Sequence, residues 1–139
     1  MTITTATIRR STHGFTDVQD ITEDLSRCLS ESGVQNGLLT VFVPGSTAGV
    51  TTIEFEPGVV EDLRQAFERL IPQSIRYGHD ARWGDGNGFA HVRASLLGPS
   101  VTIPFRKRSL LLGTWQQVVL VDFDNRPRER EAVVQILGS

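Results

Sequence analysis

The order of hydrophobic patterns along this 139-residue chain predicts an α+β fold in a single domain, residues 1–139. A strand, a helix, two paired strands and a second helix come first, and short strands fill the C-terminal third. Two further observations narrow the class. The apolar period switches between two and about 3.6 residues at positions marked by Gly and Pro. No apolar stretch approaches the length a membrane span needs.

Residues 2–10 alternate Thr with Ile and Ala and contain neither Gly nor Pro, which suits a strand covered on one face. After Gly14, the positions Val18, Ile21, Leu25, Cys28 and Leu29 recur at helical spacing, with Thr16 or Asp17 placed to cap the start and Gly33 to end it. Leu38 to Val43, between Gly37 and Pro44, reads as a buried strand. Gly45-Ser46-Thr47-Ala48-Gly49 turns the chain, and Val50 to Phe55 resumes β character. Pro57 stands at the first position of a second helix whose stripe is Val59, Val60, Leu63, Phe67 and Leu70, and Pro72 ends it. From Pro72 to Gly88 the chain is polar, glycine-rich and without period, a loop of the length that function tends to occupy. Val101 to Phe105, Leu110 to Thr114, Gln117 to Phe123 and Glu131 to Leu137 read as strands.

A chain of this size buries a core without a metal or disulfide staple. The formal charge of −2, with acids and bases interspersed, lacks the electrostatic footprint of a nucleic-acid binder. Cys28 is the only cysteine, so no intrachain disulfide forms, and the N-terminus has no basic segment followed by an apolar one. The expectation is a soluble cytoplasmic protein that binds a small ligand or a protein, with no membrane and no nucleic-acid partner.

Chemistry concentrates between Tyr77 and Arg93. Neutral imidazole and carboxylate suit Zn²⁺ or another divalent ion, and the glycines flanking Asp85 let the backbone bring His79, Asp85 and His91 around one centre. The six-residue gaps match no short zinc signature, so two other readings stay open. The histidines would bond loop backbone while Asp85 forms an Asx-turn, or His91 would be a general acid or base oriented by Asp85. Gly84-Asp85-Gly86-Asn87-Gly88 invites phosphate binding through backbone N–H groups, although no P-loop and no G-x-G-x-x-G is present. Ser46 and Thr47 follow a buried strand, where loops receive ligands or simply turn. Glu54 and Glu56 share one side of an extended strand, as an acid/base pair or as solvated carboxylates. The polar tips of Thr114 and Gln116 could close a pocket while Trp115 packs in the core. Arg126, Arg128 and Arg130 form a basic knot with the geometry for phosphate, and alone it reads as a solvated hairpin. His13 reads as a surface residue.

Gly-Val-Thr-Thr-Ile-Glu at 49–54, Glu-Pro-Gly at 56–58, Gly-Asp-Gly-Asn-Gly at 84–88, Ala-His at 90–91 and Leu-Gly-Thr-Trp-Gln at 112–116 together resemble the YjbQ family, over nearly the whole chain. The resemblance implies a compact domain, a mixed or antiparallel β-sheet sandwich with two main helices, assembled as a homotrimer with a polar, metal-capable pocket near subunit contacts. It also implies a secondary thiamine-phosphate synthase activity, which joins hydroxymethylpyrimidine diphosphate to thiazole phosphate and releases pyrophosphate. In that reading His79, Asp85 and His91 hold a divalent metal, Zn or Mg. Gly84, Gly86, Asn87, Gly88 and Arg128 hold phosphate, with Ser46, Thr47 and Gln116 beside them; Glu54 or Asp85 serves Mg²⁺, and His91 transfers protons. The rival expectation is a non-catalytic trimer that binds metal or a metabolite, because many relatives carry a histidine where this chain has Gly45.

Overall fold

A computed structural model describes residues 1–139. Its longest ladder joins β1 (Thr2–Thr12) to β8 (Arg128–Gly138), antiparallel from Thr2↔Gly138 to Thr12↔Arg128. β3 (Gly37–Phe42) pairs with the other edge of β8, followed by β5 (Ser100–Arg106) and the two-residue β6 (Ser109–Leu110), in the order β1-β8-β3-β5-β6. A second sheet orders β2 (Asp17–Asp20), β7 (Gln117–Asp122) and β4 (Ala48–Ile53) as β2-β7-β4. Every pairing is antiparallel. The helices are α1 (Thr22–Ser32), α2 (Pro57–Leu70), α3 (Gly78–Trp83) and α4 (Gly88–Leu97). None is long and apolar enough to cross a membrane.

β7 explains the layering. Its Val-Val-Leu-Val run is buried on both faces. Val118 and Leu120 join Leu25 and Leu29 of α1 and the inner face of the five-stranded sheet, including Leu39, Val41, Val134 and Ile136. Val119 and Val121, with Phe123, face Val60 and Phe67 of α2 and Phe89, Ala90 and Ala94 of α4. Phe67 and Phe123 meet edge to face at 4.8 Å. A strand covered on both sides carries no polar alternation, so its sequence is a continuous apolar run. Truncating Leu25 or Leu120 to Ala would cost about 2–5 kcal/mol through lost transfer energy and the cavity left behind.

Two helices form as their signals predict. Gly33 is left-handed (φ 73°) and caps α1, and Glu56 caps α2 by accepting N–H bonds from Gly58 (3.0 Å) and Val59 (2.5 Å) ahead of Pro57 in the first turn. The start of α1 differs from expectation. Phe15 and Thr16 follow Gly14 into positive φ, and Asp17–Asp20 then pairs with β7, so neither Thr16 nor Asp17 is a cap. Asp20 instead accepts from the Thr22 amide at 2.9 Å. Two further helices accompany the two expected ones. α3 lies inside the predicted loop, and α4 escapes detection because Arg93 interrupts its buried stripe of Phe89, Ala90 and Ala94. Arg93 is 4% exposed, donates to the Ile71 carbonyl, Thr16 and Glu68, and lies over the Phe89 ring. The expected strand Leu110–Thr114 is cut to β6. Trp115 is 74% exposed in the following turn and does not pack in the core.

Candidate functional site

β7 ends at Asp122, Phe123 turns into the core, and the chain bends from Asp124 onward. Asp122 and Asp124 are both 0% exposed. A buried carboxylate is tolerable only when it is paired and hydrogen-bonded, and the start of β8 supplies the partners. Arg128 and Arg130, two apart, point back at the aspartates. Arg130 clamps Asp122 with Nε to Oδ2 at 2.7 Å and Nη2 to Oδ1 at 3.1 Å, the fork geometry of a bidentate pair. Arg128 places Nε and Nη2 on Asp124 Oδ2 at 2.8 and 2.7 Å. Thr47 bridges the pairs, donating to Asp124 at 3.0 Å and accepting from Arg130 at 2.6 Å. Thr12 donates to Asp122, and Asn87 and the Asn125 amide donate to Asp124. Burial alone would raise the Asp124 pKa; the donors from Asn87, Asn125, Arg128 and Thr47 outweigh it and hold it at about 2. The Arg128 guanidinium is therefore held by a charge that does not titrate near neutrality, and Arg130 is fixed by its two-point clamp on buried Asp122.

The facing wall comes from α3 and α4. Asp80 accepts the Gly88 amide at 2.8 Å and so ties the start of α4 to α3. This sets His79 and His91 ring to ring, with centroids 4.3 Å apart and planes tilted by 37°. His79 Nδ1 is buried without a hydrogen-bond partner, 3.3 Å from Asp85 Oδ1 and 3.6 Å from Asp80 Oδ1. Burial and the neighbouring His79 lower the His91 pKa against the pull of Asp124, Asp85 and Asp80, so His91 is neutral at pH 7. Between the walls lies a cavity of about 480 Å³, with Gly45, Ser46 and Thr47 on its floor and Trp83 at its rim.

This cavity collects Ser46, Thr47, His79, Asp85, Asn87, His91 and Arg128 from the expected site residues. Others stand elsewhere. Glu54 and Gln116 lie past the far end of β4, roughly 20 Å along a strand rising about 3.3 Å per residue, outside the cavity within this chain. Gln116 is engaged locally, with Gly113 at 3.0 Å and Thr52 at 3.1 Å, and Glu56 is a helix cap. Gly84 and Gly86 are left-handed corners, and Gly88 N–H is taken by Asp80, which removes it from a phosphate cradle. The closest set of metal-capable atoms is His79, Asp80 and Asp85, all within 4.8 Å, with His91 stacked beside it. An orphaned imidazole nitrogen between two carboxylates fits a divalent ion.

Sequence reasoning missed Asp80, Asp122 and Asp124, and gave Arg130 to solvent. The signal was available: Asp-x-Asp directly after a buried strand and Arg-x-Arg opening the next, both with period two. A family described as "UPF0047 protein YjbQ-like" matches residues 6–139. The chain belongs to that family. A UPF0047 protein of Archaeoglobus fulgidus is 37% identical over 121 residues, 87% of this chain and 91% of the relative. The crystal structure of a YbjQ-like protein of unknown function from Sulfolobus solfataricus P2 matches with a TM-score of 0.94 at 33% identity, over 99% of both chains. A hypothetical protein from Aeropyrum pernix K1 matches with a TM-score of 0.91 at 34% identity, over 98% of this chain and 99% of the other. The antiparallel α+β architecture of this UPF0047 protein is thus the architecture of its relatives.

Proposed function

We propose that this UPF0047 protein binds a phosphorylated small metabolite between its arginine and histidine walls and acts as a transferase of the secondary thiamine-phosphate synthase type. One observation carries the reading: Arg128 and Arg130, immobilised by buried aspartates, share a cavity with His79, Asp85 and His91. Pre-aimed guanidinium groups stabilise charge that develops on a departing diphosphate, because no reorganisation is needed when the charge appears. The reaction breaks the bond between the pyrimidine methylene carbon and the diphosphate oxygen and forms one from that carbon to the thiazole nitrogen. Arg128 and Arg130 hold the diphosphate as it takes the electron pair, and neutral His91 donates a hydrogen bond to it. A divalent ion, Zn²⁺ or Mg²⁺, held by His79, Asp85 and Asp80 or His91, would add positive charge at the same oxygens. The cavity walls would keep the thiazole nitrogen in line with the methylene carbon and its leaving oxygen.

The assay is formation of thiamine phosphate from the two substrates with Mg²⁺ or Zn²⁺. The expected result is metal-dependent product that falls at least tenfold in Arg130→Ala and in His91→Ala. Pyrophosphate binding with no product under any divalent ion would reject the transferase and leave a non-catalytic metabolite-binding protein. That second reading is favoured by Gly45, which places no imidazole beside Arg130. The proposed assembly is a homotrimer in the cytoplasm. Its support is the outer face of the large sheet, where Ile3, Leu137, Leu38 and Pro104 align across four strands and are all exposed, and where no ionisable residue appears in the rows up to Thr7, Val133, Phe42 and Ser100.

A further inference from the structure

A second cavity, of about 370 Å³, lies on the other side of the Gly45–Ser46 turn. It shares Gly45, Ser46 and His91 with the arginine cavity, and its remaining walls are Ala48, Ala94, Ser95 and Pro99. No ionisable side chain other than His91 reaches it, whereas the first cavity is walled by two arginines and an aspartate. Gly45 stands on the boundary. Its φ of +140° suits glycine, and a Cβ there would come within 3.2 Å of Arg130 Nη1. With no side chain at that position, Gly45 lines both cavities with backbone alone, beside the guanidinium of Arg130.

We infer that the two cavities form one bipartite cleft, and that its ligand is an organic phosphate or diphosphate whose anionic group sits on Arg128 and Arg130 and whose uncharged ring or chain lies against Ala48, Ala94 and Pro99. The inference rests on the phosphate-binding reading given above and specifies what the phosphate is attached to. His91 lines both halves, so the bond joining ring to phosphate passes beside its imidazole. Small residues serve the second half because a planar group needs clearance on both faces. Ala94 is buried in the helix flank while Ser95 is exposed and turns its hydroxyl onto the His91 carbonyl at 2.8 Å, leaving the cavity mouth open.

The test is calorimetric titration of the full chain with inorganic pyrophosphate, methyl diphosphate and benzyl diphosphate; the two esters carry the same charge, differ only in the uncharged ring, and are the pair compared. Wild type should bind benzyl diphosphate roughly 10- to 50-fold more tightly than methyl diphosphate, the gain expected from burying a six-membered ring. Ser95→Leu fills the second cavity from an exposed helix position without touching either arginine. It should bring the two esters within about twofold of each other while leaving pyrophosphate binding unchanged; Ser95→Gln should act in the same direction, and Ser95→Ala should keep the wild-type preference. Equal affinities for the two esters in wild type, or a preference that survives both Ser95→Leu and Ser95→Gln, would overturn the bipartite cleft while leaving the phosphate site intact. Absence of pyrophosphate binding in wild type would overturn the phosphate site and the cleft with it.

Discussion

Replacing Asp124 by Asn keeps the shape of a fully buried side chain and removes its charge from a site where Asn87, Asn125, Arg128 and Thr47 all donate to it. The carboxyl is held at about 2 against an ordinary 3.8, and at about 1.4 kcal/mol per unit this corresponds to roughly 2–3 kcal/mol of stability at neutral pH. For a chain of this length the loss would lower Tm by roughly 8 °C. Because the folded pKa is depressed, the contribution is complete above about pH 4 and disappears as pH falls through about 2. The measurement is the free energy of urea unfolding for both proteins at pH 7, 4 and 2. The gap should be full at pH 7, nearly full at pH 4 and below about a quarter at pH 2, where the folded wild-type residue is itself about half protonated. A gap below about 0.5 kcal/mol at pH 7, or one of constant size across the series, would refute the claim that the charge on Asp124 is what the arginine wall is built upon.

Elemental analysis of protein purified without chelator should find a divalent metal near stoichiometry in wild type and little in His79→Ala or His91→Ala; metal retained by both variants would place it elsewhere. Gly88→Ala would set a Cβ 2.5 Å from that of Tyr77 and 3.1 Å from the Asp80 carboxylate, so a loss of about 1–3 kcal/mol is expected in thermal unfolding; an unchanged Tm would show that the α3–α4 junction is not tightly fitted. Trp115→Ala should change the stability of the isolated subunit by less than about 0.5 kcal/mol, since the indole is exposed, and a larger loss in denaturant titration would mean that another chain covers it. Leu38→Arg puts a charge in the middle of the uncharged sheet face and should convert a trimer to monomer in sedimentation velocity; a wild type that is already monomeric would reject the assembly.

How legible the chain was depends on whether a signal is local. The Gly33 cap, Glu56 with Pro57, and the apolar runs of β3 and β7 depend on neighbours a few residues away, and each forms where the pattern places it. β2 was lost because Val18 and Ile21 also suit a helical stripe. Only pairing with β7, a hundred residues onward, decides for a strand. α4 was lost for a related reason: Arg93 looks like a solvent residue until the Ile71 carbonyl and Glu68 are known to receive it. Within the site, the histidine wall was legible because His79, Asp85 and His91 fall in one short segment. Of the arginine wall only Arg128 was expected, through the family resemblance; Arg130 looks solvated until Asp122 and Asp124 are seen to be buried behind the pair.

The two walls also differ in what holds them, and that difference assigns their roles. The arginine wall rests on carboxylates with no solvent exposure and on a ladder, β1 with β8, that runs from Thr2 to Thr12. Its geometry is fixed by the same forces that fix the fold. In the histidine wall His91 stands on α4, which has a buried face, but His79 stands on a six-residue helix with no buried residue, tied to α4 by the bond from Gly88 to Asp80. A short helix without a buried face has little tertiary packing to stabilise it. In the proposed reaction the wall that would hold the diphosphate is the rigid one. The wall that carries His79 and Asp85 is the less firmly packed one, which suits a group that in the proposed reaction would ligate an ion and follow a departing diphosphate.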